Sequence, residues 1–122
     1  MALAKSFIGY GFSALQSQGL TAANVGPTIA AAGTTQGTAT ATTADFNIIA
    51  SGGDGAGVAV YNGQIGDSQE FFNNQLTNLR IYPPTGSTIN QIAANSPVIV
   101  PAYTYVYIKK CTATRFIACM SA

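Results

Sequence analysis

The sequence predicts an all-β domain, a jelly-roll-like β-sandwich preceded by an N-terminal arm. Three observations predict it. Turn signals made of Gly, Pro and Asn recur at short intervals from residue 33 onward, runs rich in Thr, Val, Ile, Tyr and Phe lie between them, and helical periodicity is weak. Many short strands at this spacing are typical of sandwiches and barrels. We therefore divide the 122 residues into an arm over 1–25 and one β-sandwich domain over 26–122.

The arm is apolar and carries Lys5 as its only charge. Residues 13–18 have the composition for one or two helical turns before Gly19. Such a segment is expected to dock on its own domain or on another subunit, and the alternative is that it is simply the first strand. If it docks on a partner, removing residues 1–20 abolishes binding and leaves the β fold intact. The side chains predicted to anchor it are Phe7, Ile8, Tyr10, Phe12 and Leu15.

Nine strands are predicted, each bounded by turn residues. Thr/Ala alternation supports the first strand, and the glycines of 52–57 form a turn before the third. Pro83 and Pro84 end the fifth because neither can donate to a ladder, and Gly86 permits the reversal. No internal repeat is evident. The predicted strands are residues 38–43, 45–51, 57–62, 68–73, 76–82, 87–92, 97–100, 102–111 and 115–120.

The last two strands are predicted to form a hairpin with residues 112–114 in the turn. If Cys111 faces Arg115, the antiparallel register places Cys119 opposite Tyr107. The two sulfurs are then too far apart for a disulfide, so both cysteines are expected to be small buried hydrophobic residues. Val106 and Ile108 share one face of the hairpin, and the opposite face carries three tyrosines at alternate positions, Tyr103, Tyr105 and Tyr107.

Composition excludes several functional classes. Charged residues make up only 7% of the chain against about 25% in an ordinary domain, and the net charge is +1. Five scattered basic residues do not form a nucleic-acid footprint. No run of about 20 apolar residues predicts a membrane span. A surface with so few charges favours self-association.

Catalytic and metal-binding chemistry has few candidates. The chain has no His, so it lacks a His base and a His metal ligand, and two Cys alone do not predict a zinc site. Asp67 and Glu70 lie three residues apart, on opposite faces of a strand, and are interpreted as solvated charges beside a turn. The glycines of 52–57 lack the Lys-Ser/Thr ending of a phosphate loop. We expect no enzymatic activity, no cofactor and no metal.

The tyrosine stripe has two interpretations. Rows of exposed Tyr stack on sugar rings, and Tyr is also an anchor of protein interfaces. A glycan site usually adds Asp, Glu or Asn on the same face, and the sequence places none there. We therefore favour a subunit interface at Tyr103, Tyr105 and Tyr107.

The second half of the chain contains a series of distinctive segments: Asn62 to Asp67, Asn73-Asn74, Leu79 to Asn90 and the closing strand pair. In these segments it resembles small virion proteins of tailed bacteriophages. The resemblance covers residues 33–122 and not 1–32, and Phe116 stands where a Trp is common. It implies a β-sandwich module that serves as a capsid decoration (cement) protein or as part of a fibre.

We therefore expect a structural protein of a phage virion. It would decorate the capsid surface after synthesis in the host cytoplasm, bind the major capsid protein and form a homotrimer, without nucleic-acid or membrane partners. The alternatives are a tail or head fibre module that recognises host surface glycans and a neck or tail component. A small hydrolase is a remote third alternative, because His and paired acids are lacking.

Overall fold

A computed structural model describes residues 28–121. The arm predicted over residues 1–25, its anchoring side chains and the helical turns predicted at 13–18 lie outside the described residues. Within 28–121 the chain forms strands and no helix. This range therefore contains no candidate for a membrane-spanning helix. The all-β prediction is confirmed.

The strands are short and lie in chain order as follows. They are β1 (Ile29–Ala30), β2 (Thr40–Ala41), β3 (Phe46–Ser51), β4 (Gly57–Ala59), β5 (Ser68–Asn73), β6 (Leu79–Tyr82), β7 (Thr88–Ile89), β8 (Val98–Val100), β9 (Tyr105–Lys110) and β10 (Arg115–Met120).

Two sheets contain these strands. The order in sheet A is β1-β3-β5-β9-β10-β7, and the order in sheet B is β2-β4-β6-β8. The first six strands alternate between the sheets. Each of β1 to β4 pairs in parallel with the strand one circuit later: Ile29 aligns with Ile49, and Gly57 aligns with Arg80. The chain thus winds through three coils of roughly 20 residues each, which is the length of a solenoid repeat.

The end of the solenoid that follows the third coil is built differently. Strand β8 pairs antiparallel with β6, β9 pairs antiparallel with β5, and β10 forms a hairpin with β9. Strand β7 joins the far edge of sheet A, parallel to β10. The segment between β7 and β8 places Ile92 against the core. The described chain is therefore a short β-solenoid closed at this end by antiparallel strands.

The predicted jelly-roll sandwich is wrong. Jelly rolls are made of antiparallel strands, whereas here each coil crosses to the opposite sheet and returns beside its predecessor. The turn signals at 52–57 and 83–86 predict reversals inside a sandwich, but in the structure they are corners between the two sheets. Strand composition does not distinguish these cases, because a corner and a hairpin need the same turn residues. The corners also differ in length from one coil to the next, so the coils do not produce a repeat in the sequence.

The core lies between the two sheets. Ile49, Phe71 and Phe116 of sheet A face Val58, Leu79 and Ile81 of sheet B, and all are buried. Alternation along β5 sends Gln69, Phe71 and Asn73 inward and leaves the residues between them half-buried. Strand β9 follows the same rule with Val106 and Ile108 inward, as the sequence predicted.

Buried amide side chains hold the corners of the coils. Asn73 is 0% exposed; its Nδ2 lies 2.9 Å from the carbonyl oxygen of Thr77 and 3.1 Å from that of Val100. Its Oδ1 accepts a hydrogen bond from Gln75, whose own Oε1 accepts one from the Gly53 amide. These bonds satisfy backbone groups that a corner leaves without a ladder partner.

Most predicted strands are present at the predicted places. The bounds of β5 and β10 match, and β2 to β4 and β6 to β9 are shorter than predicted. Strand β1 was not predicted. The predicted hairpin register is confirmed, with Cys119 opposite Tyr107, and both cysteines are free. Their predicted burial is wrong: Cys111 and Cys119 are exposed, because Cys119 lies on the outward side of β10 and Cys111 follows β9 in the turn.

Candidate functional site

The outward side of sheet A carries a surface that we call the aromatic face: Phe46, Glu70, Phe72, Tyr105 and Tyr107. Its side chains come from three neighbouring strands, β3, β5 and β9, and all are half-buried. The register aligns Phe46 with Glu70 and Glu70 with Tyr107 in one row, and Phe72 with Tyr105 in the next row. Strand alternation places these positions opposite the core residues, so they point away from sheet B.

Tyr105 links the two rows. Its ring stacks on Phe46, with centroids 6.5 Å apart and planes inclined by 29°. Its hydroxyl donates a hydrogen bond to the Glu70 carboxylate. Burial, followed by the bond to Glu70, raises the pKa of Tyr105 to about 12. Because the phenol keeps its proton, it remains a donor to the carboxylate throughout the neutral range.

Glu70 was not predicted to belong to this surface. The prediction that Glu70 is a solvated charge beside a turn is wrong, and so is the prediction that no acid lies on the tyrosine face. Strand β5 lies next to β9, so Glu70 is the residue directly opposite Tyr107. Alternation within residues 68–73 separates Glu70 from buried Phe71, but only the pairing of two strands distant in sequence brings it to the tyrosines.

Asp67 lies apart from Glu70. It precedes β5 in an exposed turn, where its Oδ2 accepts a hydrogen bond of 2.8 Å from the Gln64 amide. Within residues 28–121, no group of three or more His, Cys, Asp or Glu side chains is arranged to hold a metal ion.

Only two of the three predicted tyrosines lie on the aromatic face. Tyr105 and Tyr107 lie there, but β9 begins at Tyr105. Tyr103 is in the preceding turn, with φ of 52° and 55% of its surface exposed. A left-handed residue breaks strand alternation, so the predicted stripe of three is wrong. The roles predicted for Phe7, Ile8, Tyr10, Phe12 and Leu15 concern residues outside the described range.

The outward side of sheet B is covered by the chain itself. Residues 33–39 fold back over it: the Tyr82 hydroxyl donates to the carbonyl oxygen of Thr34 at 3.0 Å, and Gln36 donates to that of Pro83 at 2.6 Å. Tyr82 is only 4% exposed and lies over Gly57, where an added Cβ would meet its ring at 2.6 Å. Ile99 remains exposed on β8.

The aromatic face therefore offers ring surfaces, one carboxylate and little else that is charged. Lys109 is exposed in the row beyond it, aligned with Ser68 and Ile117. Such a surface can stack, bury apolar area and accept hydrogen bonds. Comparison with protein-family models, with curated proteins and with solved structures finds no match to the chain.

Proposed function

We propose that the chain is a structural virion protein, a capsid decoration or cement protein of a tailed phage. It would stabilise the head through contacts with the major capsid protein and with copies of itself in a trimer. The observation that carries the proposal is the aromatic face, two rows of half-buried side chains from three strands on a chain with only 7% charged residues. The resemblance of residues 33–122 to small virion proteins supports it.

The proposed mechanism is adhesive. Tyr and Phe bury large area at low entropic cost and are enriched in the centres of protein interfaces, where charged residues are depleted. Tyr105 is already held between Phe46 and Glu70, so little side-chain freedom remains to be lost on binding. Each added contact across neighbouring capsid subunits would oppose the internal pressure of the packaged genome.

The resembling segment Leu79 to Asn90 has a structural role. It comprises β6, the corner at Pro83 to Gly86, and β7. Asn90 has φ of 54°, and its Oδ1 accepts the Ala118 amide at 2.9 Å, which ties β7 to β10. The segment thus holds the fold of this chain together, and the proposed contacts come from the aromatic face.

The first test is the copy number of the protein in purified virions, measured by quantitative mass spectrometry against the major capsid protein. Decoration predicts hundreds of copies at a fixed ratio to capsid subunits. A handful of copies would assign the protein to the neck, the tail or a fibre, and absence from the particle would reject a virion role.

A pair of matched variants tests the surface. Tyr107→Lys puts a charge on the aromatic face opposite Glu70, and Ile99→Glu puts one on the outward side of sheet B opposite Arg80. Both introduced charges face an opposite charge on the neighbouring strand, so their effects on the fold are comparable. We expect Tyr107→Lys to abolish cosedimentation with capsids lacking the protein, and Ile99→Glu to leave it unchanged. Equal binding by both variants would exclude the aromatic face as the contact.

One observation favours a second candidate, a fibre module that binds host glycans. Glu70 lies between aromatic rings, and a carboxylate beside stacking rings is the arrangement that a sugar-binding surface uses. This candidate predicts glycan-array signals that disappear in Tyr105→Ala and Glu70→Gln and persist in Tyr103→Ala, since Tyr103 lies off the face. A blank array for the wild-type protein, or signals indifferent to Glu70→Gln, would eliminate it.

A further inference from the structure

A buried lysine lies where the end of β9 meets the connection between β4 and β5, residues 60–67. Lys110 is only 7% exposed. Its amide donates to the carbonyl oxygen of Asp67 at 2.9 Å, and its own carbonyl oxygen accepts the Gly66 amide at 2.8 Å. Its Nζ lies 5.9 Å from the centre of the Phe116 ring. The backbone of Lys110 is thus fixed to this connection, and its ammonium group is held at one place beside it.

The ammonium group of Lys110 donates to two neutral oxygens. Its Nζ lies 2.7 Å from Asn62 Oδ1 and 2.7 Å from the carbonyl oxygen of Gly63. A buried charge is compensated best when an opposite charge faces it, and neutral oxygens compensate it only in part. A carboxylate in place of the Asn62 amide would supply the opposite charge.

Asn62 and Gly63 form the one Asn-Gly pair in the chain. In such a pair the glycine nitrogen can approach the Asn side chain closely, because glycine has no Cβ. Asn62 is exposed, so water reaches it. The fold itself requires this glycine: a Cβ at position 63 would collide with the Asp67 carboxylate, which accepts the Gln64 amide at 2.8 Å. The connection therefore holds a labile pair in a fixed geometry, with a cation on the side-chain oxygen.

We propose that Asn62 is a self-modification site, at which Lys110 directs deamidation to aspartate. The Gly63 nitrogen attacks Asn62 Cγ, a C–N bond forms, the amide proton passes to water, and the side-chain nitrogen leaves as ammonia. Water then adds to the same Cγ and breaks the new C–N bond, which restores the backbone and leaves a carboxylate. The net reaction converts an amide and water into a carboxylate and ammonium, and it needs no oxidant or reductant.

Lys110 favours both steps because each step places negative charge on Oδ1 of Asn62. An ammonium donor at 2.7 Å stabilises such an oxyanion. In the second step, water can instead add to the backbone carbonyl carbon of position 62, which gives isoaspartate and inserts an extra carbon into the main chain. Since Lys110 donates to the side-chain oxygen, it directs water to Cγ and favours normal aspartate.

The product would convert a hydrogen bond into an ion pair. Asn62 and Lys110 are 48 residues apart in the chain, and the fold brings them together, so the directed reaction follows folding. It is irreversible in water and lowers the net charge of +1 by one. Because charge-assisted hydrogen bonds are stronger than neutral ones, the connection between β4 and β5 would be held more firmly to β9.

Peptide mapping by mass spectrometry, on protein aged at neutral pH, tests the site. We expect Asn62 to convert mainly to aspartate in the folded wild type, and mainly to isoaspartate in the same chain unfolded in guanidinium chloride. Lys110→Met should slow the conversion in the folded protein by about tenfold, less than the loss of an oxyanion donor costs a buried enzyme site, because Asn62 is exposed. It should also make isoaspartate the main product. Lys109→Met is the matched control, since Lys109 is exposed on the other side of β9, and it should behave as the wild type.

A second measurement tests the ion pair. Asn62→Asp should raise the urea midpoint of the wild type and leave that of Lys110→Met unchanged, because an apolar side chain offers the carboxylate no partner. Equal shifts in the two backgrounds would show that no ion pair forms.

Three outcomes of the peptide map would overturn the proposal. The first is the same ratio of aspartate to isoaspartate in the folded and unfolded wild type, a comparison that needs no substitution. The second is an unchanged rate and ratio in Lys110→Met. The third is a cross-linked peptide that joins residues 62 and 110 with the loss of one ammonia, because Lys110 would then be the nucleophile.

Discussion

The outward sides of sheets A and B use the same residue in opposite ways. On sheet B, Tyr82 is buried, and its hydroxyl reaches the Thr34 carbonyl and holds residues 33–39 against the sheet. On sheet A, Tyr105 is half-buried, and its hydroxyl and ring are held by Glu70 and Phe46 of the same sheet. One tyrosine secures a loop of its own chain, and the other is fixed in place with nothing described above it.

The difference shows that the two outward faces of a short solenoid can have different roles. The connection from β1 to β2 is long enough to fold back, and it covers sheet B. The outward rings of sheet A are ordered by their neighbours instead, which leaves a prepared surface for a partner. The comparison predicts that variants on sheet B affect stability more than binding, and that variants on the aromatic face do the reverse.

The largest effect on stability is expected for Gly57→Ala. Its Cβ would meet the Tyr82 ring at 2.6 Å, and the buried ring has no room to move. We expect a loss of about 2 kcal/mol in the free energy of unfolding, measured by urea denaturation. Gly37→Ala is the control, because nothing lies within 4 Å of its Cβ and the residue belongs to the same loop. A neutral Gly57→Ala would mean that the loop and Tyr82 are not packed as described.

Tyr82→Phe should have the next largest effect. It removes the hydroxyl that donates to Thr34 and leaves a carbonyl without that partner, at a cost of about 1 kcal/mol. Proteolysis within residues 33–39 should also become faster, since the loop loses an anchor. Tyr103→Phe serves as the control because Tyr103 is largely exposed. If Tyr82→Phe changes neither stability nor the rate of proteolysis, the Tyr82 hydroxyl does not hold the loop against sheet B, and the proposed difference between the two faces is wrong.

Tyr105→Phe should affect stability less than Tyr82→Phe does. It removes the hydrogen bond to Glu70 and keeps the ring stacked on Phe46, and both groups are partly exposed to water. We expect a change below about 1 kcal/mol in urea denaturation. A loss larger than that of Tyr82→Phe would show that the aromatic face stabilises the fold more than the loop does.

The smallest effect on stability is expected when the pH is raised into the alkaline range, where tyrosines lose their protons. Burial, with a hydrogen bond to Asp45, raises the pKa of Tyr61 to about 12, and burial with the bond to Glu70 raises the pKa of Tyr105 to about 12. The folded state thus favours the neutral phenols. This contribution to stability is complete below pH 10 and is lost as the pH rises toward about 12.

Phenolate absorbance measured against pH checks this prediction. Tyr61→Phe and Tyr105→Phe should each remove one late-titrating phenol, and Glu70→Gln should lower the pKa of Tyr105 alone. If Glu70→Gln also changes the pKa of Tyr61, the two tyrosines do not titrate independently. The separate hydrogen bonds to Asp45 and Glu70 would then not explain the two pKa values.

Local sequence features predicted individual strands well and their arrangement poorly. Runs of β character between turn signals predicted the strands at 68–73 and 115–120 at their observed bounds, and Pro83 ends β6 as expected. The hairpin register was predictable because its turn lies within the same segment. The parallel pairing of β3 with β5 was not, since it joins residues from successive coils and has no local signal.

The sequence by itself determined the β class, the places of the turns, the inward residues of β9, and a surface almost without charge. These properties depend on side-chain size, backbone preference and period-two alternation, which act over a few neighbouring residues. Only the tertiary structure decided that the turns are corners of a solenoid and that Glu70 lies opposite Tyr107. It also decided that Tyr103 leaves the stripe and that residues 33–39 cover sheet B. Those outcomes depend on which distant strands pair, and that choice is made by the packing of the whole core.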